Sequence, residues 1–129
     1  MNFDIPLNAE ETVTEKVTSK NTAAAYGSGL IEVYATPAMI ALMEKASYSA
    51  VSSYLPEGFN TVGTEICVKH VKATPIDQEV WSKAVLVEVE GKKLKFEVTA
   101  WDFEGIIGSG FHYRYIINTE KFMKKVSDK

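Results

Sequence analysis

Between Thr36 and Tyr54 apolar residues are so dense that only a narrow polar stripe interrupts them. Thr36-Pro37 marks the start of a helix, because a hydroxyl suited to capping free N–H groups precedes a proline whose missing donor costs nothing at the first helical position. Pro56-Glu57-Gly58 marks its end, so the helix is expected to run to about Tyr54. At about 100° per residue, Lys45, Ser49 and Ser52 share the polar stripe, and Glu44 falls roughly 100° away from it. Its neighbours on that wheel are Pro37, Ile40, Ala41, Tyr48 and Val51, which makes Glu44 a carboxylate on an apolar face.

Elsewhere the period is two. Glu11–Ser19 is short and rich in β-branched residues, and reads as a strand. In Thr64–Lys72 (TEICVKHVK), Thr64, Ile66, Val68 and His70 point one way while Glu65, Cys67, Lys69 and Val71 point the other, so His70 continues an apolar face. Three more strands are expected near Glu79–Val89, Lys93–Phe103 and Ile106–Ile117, joined by short connections that favour antiparallel hairpins, with a short amphipathic helix over Thr119–Val126. Lys20–Gly29, Pro56–Asn60, Thr74–Gln78 and Glu90-Gly91 read as loops or turns. A helix that is apolar nearly all round needs a wrapper, and a curved antiparallel sheet is the one available. The pattern therefore predicts a single α+β domain over residues 1–129, one long central helix held in a curved sheet.

Composition narrows the function. Apolar residues are 46% of the chain and charged residues 24%, as in an ordinary globular domain. A net charge of −3 supplies no basic stripe for a phosphate backbone, which disfavours nucleic acid as a partner. No apolar run approaches the length of a membrane span, and the N-terminus lacks the pattern of a secretory signal, so a cytoplasmic location is expected. The one cysteine, Cys67, and two histidines without ligand-spaced companions make a metal site improbable.

Two side chains stand out as chemistry. A buried carboxylate is costly unless paired, and such environments house many catalytic acids and bases, although structural networks bury carboxylates too. Glu44 has both readings open, and so does His70, since a histidine on the inner face of a strand is commonly a satisfied core residue. If the strand packs on the helix, or against a neighbouring subunit, the two could share a cavity and activate water or act as nucleophile. Thr36 would add a hydroxyl beside the helix N-terminus, where developing negative charge is favoured, or would serve simply as an N-cap. Gly63-Thr64 opens the strand of His70 and would allow a ligand close to backbone N–H groups, or mark a bulge. The Gly108-Ser109-Gly110 run suggests relief of crowding where a strand crosses the helix. His112, in the aromatic run FHYRY, is expected at a surface or interface, and Cys67 is expected to point away from His70.

Three stretches, EVYATPAMIALMEKAS, VGTEICVKHVKATP and IIGSGFHYRYII, with the tail INTEKFMKKV, together resemble the hotdog-fold acyl-CoA thioesterases, most closely the fluoroacetyl-CoA thioesterase type. The resemblance runs from about Glu11 to Val126 and is most specific in the A-T followed by L-M-E and in G-T-x-I-C-V-x-H. It implies a helix wrapped by a curved sheet, a homodimer or a dimer of dimers with sheets joined edge to edge, active sites at the subunit interface, and no cofactor beyond the coenzyme A of the substrate. It also implies catalytic roles for Thr36, Glu44 and His70, and a backbone contact to the thioester carbonyl at Gly63, with Thr64 beside it. The sequence departs from the fluoroacetyl-specific pattern before the helix, where Leu30 aligns with a gating phenylalanine and Tyr34 with the next aromatic. A different short or medium acyl group is therefore expected. Hydrolysis of a small acyl-CoA competes with two other readings: a domain that binds acyl-CoA or a small metabolite without turnover, and a dehydratase or hydratase.

Overall fold

The computed structural model describes residues 3–129. Five strands, β1 (Glu10–Lys16), β2 (Phe59–His70), β3 (Glu79–Glu90), β4 (Lys93–Asp102) and β5 (Gly105–Asn118), form one sheet in the order β1-β3-β4-β5-β2, with every neighbouring pair antiparallel. Three helices accompany it: α1 (Ala23–Tyr26), α2 (Thr36–Ser52) and α3 (Thr119–Ser127). The short α1 lies inside the stretch expected to be a loop, where the Thr22 side chain accepts from the Ala25 N–H.

The β3-β4 and β4-β5 hairpins match the expected short connections, but β2 crosses to the far edge and pairs with β5 instead of β3. Glycine permits that pairing. A Cβ on Gly108 would lie 2.6 Å from Met39 Sδ and 2.7 Å from the Lys69 carbonyl, and one on Gly110 would run into the Cys67 carbonyl. The strand thus passes between helix and neighbour only where side chains are missing, as the GSG run suggested.

Helix α2 buries Ala38, Met39, Leu42, Met43, Ala46, Ser47, Ala50 and Val51, a three-and-four spacing that presents one face to the sheet. Phe96, Leu86, Leu94 and Val98 are fully buried in the same core. Full burial of one such side chain contributes about 1.5–3 kcal/mol. The sheet wraps the helix as expected but leaves one face open: Pro37 and Tyr48 are exposed and Ile40 only half-buried, on the side that bears Glu44. The helix also begins one residue earlier than its capping pattern indicated. Ala35, without a side-chain bond, is the N-cap, Thr36 is the first helical residue, and the last is Ser52.

Candidate active site

Because Thr36 is inside the helix, its hydroxyl is not spent on capping. Thr36 Oγ1 lies 2.8 Å from Nδ1 of His70, at the end of β2. The two border a cleft of about 350 Å³ that also takes in Tyr34, Val33, Lys72 and Ala73. The His70 ring points inward, as period two required, and its Nε2 is buried without a partner. Burial pushes the His70 pKa below its ordinary value, against a smaller upward pull from the backbone at Lys72, so the ring is held neutral.

Backbone ties fix the walls of this cleft. The Tyr34 N–H donates to the Thr74 carbonyl (2.9 Å), and the Thr74 hydroxyl donates to Asp102 Oδ2 (2.7 Å) in the interior. Tyr34 itself is buried, and its hydroxyl donates to the Glu15 carboxylate. Burial first, and then that carboxylate, raise the pKa of the phenol far above its usual range, so it stays a donor. Leu30, by contrast, is 93% exposed and does not border the cleft.

Glu44 occupies a different cleft, of about 280 Å³, with Gly63, Thr64, Glu65, Ile66 and His112. Register shifts between Gly63 and Glu65, so Thr64 is the extra residue of a β-bulge, exposed, with its hydroxyl on the Tyr113 carbonyl (3.2 Å) rather than on the inner face. A Cβ on Gly63 would come within 3.1 Å of Glu44 Oε2. Only a glycine leaves room here for a ligand between carboxylate and backbone.

Behind Glu44 stands a pair that sequence reasoning missed. His112 is 1% exposed and faces inward, not outward as expected. Its Nδ1 donates to the Glu65 carbonyl (2.8 Å), leaving Nε2 to accept from Arg114 Nη1 (3.1 Å). Arg114 in turn gives Nε to Thr61 Oγ1 and Nη2 to the Thr61 carbonyl, both at 2.8 Å, and places Nη1 4.0 Å from Glu44 Oε2. Burial lowers the His112 pKa most, and the nearby guanidinium lowers it further. The aromatic neighbours misled because Phe111, Tyr113 and Tyr115 lie on the outer sheet face, where Lys95 sits 4.6 Å from the Phe111 ring centre and Lys93 5.2 Å from that of Tyr113. The available signal was phase: alternation from Gly108 and Gly110 through Ile116 puts residues 112 and 114 inward.

Within one chain, then, the predicted residues fall into two groups, Thr36 with His70 and Tyr34, and Glu44 with Gly63 and Thr64. Positions 36 and 44 are about 12 Å apart along the axis of α2, at about 1.5 Å per residue. Among the described residues no cluster of three or more His, Cys, Asp or Glu could hold a metal ion, and no helix is long and apolar enough to cross a membrane.

A long helix over a five-stranded antiparallel sheet is the architecture of the hotdog-fold thioesterases. Residues 17–120 match the model of the family described as fluoroacetyl-CoA-specific thioesterase (FlK), and the chain belongs to that family. It is 46% identical over 98 residues to a fluoroacetyl-CoA thioesterase from Streptantibioticus cattleyicolor, spanning 76% of this chain and 70% of that one. A solved structure of the fluoroacetyl-CoA thioesterase FlK superposes with a TM-score of 0.91 at 37% identity, covering 97% of both chains. A thioesterase superfamily member from Thermus thermophilus gives 0.88 at 25% identity, over 96% of this chain and 92% of that one.

Proposed function

We propose that this chain hydrolyses the thioester of a small acyl-CoA, giving the free acid and coenzyme A, in a site built by two copies of the chain. The observation that carries the reading is the hydrogen bond between Thr36 and His70, which orients an imidazole whose Nε2 has no partner of its own. Kinship with fluoroacetyl-CoA thioesterases supports the reaction class. That kinship also favours hydrolysis over hydration, and the oriented imidazole favours turnover over mere binding, because a binder has no need of a positioned base.

The roles follow from the geometry. A neutral His70 accepts a proton from water or delivers one to the departing thiolate, while Thr36 fixes the plane of its ring. Glu44 is the general base or the attacking carboxylate, with Arg114 behind it balancing its charge. The bulge at Gly63-Thr64 interrupts the ladder, which suits this stretch to supply backbone N–H groups to an oxyanion, and removal of one such donor costs about 100- to 1,000-fold in rate. Leu30, exposed and outside the cleft, supplies no aromatic gate within the chain, and a short or medium acyl group without selection for fluorine is the reading we keep.

Two groups of residues about 12 Å apart on one helix cannot act on one carbonyl. The open face of α2, with Pro37, Ile40 and Tyr48 beside Glu44, adjoins the unpaired edge of β2, and a homodimer joined there would bring Glu44 and Gly63 of one subunit to Thr36 and His70 of the other. The test is subunit mixing. Glu44→Ala and His70→Ala proteins, each folded by circular dichroism, should be inactive toward an acyl-CoA panel followed by thiol release. Mixed and allowed to exchange, they should regain about a quarter of parental activity, since half of the dimers then carry one intact site of two. Parental activity in either variant alone would remove the assignment.

A further inference from the structure

The cleft that holds Thr36 and His70 ends on Tyr34, and the residue that holds the Tyr34 hydroxyl borders a second cavity. We infer that the Tyr34 ring, locked by Glu15, is the stop that limits the length of the acyl chain this cleft accepts. The inference rests on the thioesterase reading given above and names a specificity-determining pair for it. A thioester substrate carries two unlike arms, and an apolar acyl chain gains by leaving water for apolar surface whereas the coenzyme A arm does not. Along the part of the cleft that continues β2, Lys72 stands half-buried and 3.4 Å from the Glu104 carboxylate, which suits the polar arm. The part supplied by α1 and the entry to α2 is Ala23, Val33 and Tyr34, which suits the acyl chain.

What that chain meets at its far end is decided by Tyr34. The ring is 1% exposed, and its hydroxyl donates to Glu15 on β1, which lines a separate cavity of about 160 Å³ with Tyr26, Ala38, Ala41 and Leu42. Both flanking helices run from one space to the other: α1 puts Ala23 on the cleft and Tyr26 on the second cavity, while α2 puts Thr36 on the cleft and Ala38 and Ala41 on the second cavity. The phenol stands where the two would otherwise join. Alanine at 38 and 41 leaves room beside α2 that an alkyl chain could fill, and the ring closes the way to it.

The bond to Glu15 is not needed to hold the chain in place. The Tyr34 backbone is already tied by its N–H to the Thr74 carbonyl and by a bridge to Thr22. What the side-chain bond adds is a ring that cannot swing aside, because a hydrogen bond to a carboxylate is about twice as strong as one between neutral groups. Glu15 is half-buried, so moving the phenol would also leave its carboxylate short of a partner beside apolar groups. The pair therefore excludes a long chain twice, by the bulk of the ring and by the charge behind it.

The test is the ratio of kcat/KM for octanoyl-CoA to that for butyryl-CoA, followed by thiol release. A single methylene in an apolar pocket is worth roughly 10- to 200-fold in discrimination, so the double variant Tyr34→Leu, Glu15→Leu, which removes ring and charge together, should raise the ratio at least about tenfold. Tyr34→Phe keeps the ring but frees it, and on the same scale should raise the ratio about threefold. Adding Ala41→Phe to the double variant refills the second cavity and should return the ratio to near the parental value. A role confined to stability would lower both rates together and leave their ratio where it was. A ratio unmoved in folded Tyr34→Phe, or a gain in the double variant that Ala41→Phe does not reverse, overturns the stop while the hydrolytic reading stands. A parent protein that releases thiol from no acyl-CoA overturns that reading instead.

Discussion

Thr36 Oγ1 and His70 Nδ1 are 2.8 Å apart, one on the first residue of α2 and the other on the last of β2. Both elements are anchored by the core, so the imidazole is held from a rigid support. Thr36→Val keeps the volume and removes the bond. It should lower kcat for acyl-CoA hydrolysis at least tenfold with Tm nearly unchanged, whereas Thr36→Ser should keep most of the activity. His70→Ala should cost roughly 100- to 10,000-fold, the usual worth of a positioned acid or base. Thiol release under saturating substrate measures all three.

The two histidines set an acid limit. Burial lowers the pKa of both His70 and His112 in the folded chain from an ordinary 6.5. Below 6.5 the unfolded chain therefore binds more protons than the folded one, and stability falls with pH until the lowered values are passed. Above 6.5 their contribution is fully present. We expect urea midpoints to be flat from pH 7 to 8 and to decline on acidification, less so in His112→Gln. A kcat/KM that depends on neutral His70 should begin its fall below 6.5, not at it.

Arg114 is a test of the network behind Glu44. It satisfies Thr61 twice and His112 once, and a buried acceptor left unpaired costs about 1–3 kcal/mol. Arg114→Met should thus lower Tm by several degrees. Its contact with Glu44 is long, at 4.0 Å, and the Glu44 side chain is 41% exposed, so that pair adds little to stability. The loss of activity should therefore exceed what the Tm change explains, because Glu44 loses its orientation. Calorimetry and steady-state rates on the same preparation separate the two effects.

Much of this was legible in the chain. Alternation in TEICVKHVK placed His70 inward and Cys67 outward, and the helical wheel put Glu44 off the polar stripe of α2. What pattern could not supply was everything set by long-range pairing. Nothing local to β2 says that it joins β5 rather than β3; that depends on two glycines some forty residues later yielding to Met39 and to the β2 backbone. Thr36 read as a cap because hydroxyl-proline pairs are common caps, whereas the bond with His70 becomes visible only after the strand is laid beside the helix. His112 and Arg114 were masked by aromatic neighbours that gather lysines on the outer face, so hydropathy pointed the wrong way around.

Gly63 and Gly108 give a prediction in which one strand pairing separates function from stability. At Gly63 an added methyl would meet the ends of side chains, Glu44 Oε2 and His112 Cε1, each at 3.1 Å, which can yield by a few tenths of an ångström. Gly63→Ala should therefore fold with nearly parental stability while the methyl fills the space a thioester carbonyl needs, cutting kcat/KM by at least 100-fold, the worth of an oxyanion donor. At Gly108 the methyl would meet the Lys69 carbonyl at 2.7 Å as well as Met39, and backbone cannot yield so easily. Overpacking of this kind costs about 1–3 kcal/mol. Gly108 lies opposite His70 in the ladder, so Gly108→Ala should lose stability and activity together as β2 is pushed from β5. A Met39→Ala change in that background should recover little, because the Lys69 carbonyl still blocks the methyl. Denaturation midpoints and thiol-release rates should then separate the two alanine variants by stability alone, with Gly63→Ala stable but inactive and Gly108→Ala both unstable and inactive. If Gly63→Ala keeps full activity, the bulge is not where the thioester carbonyl binds.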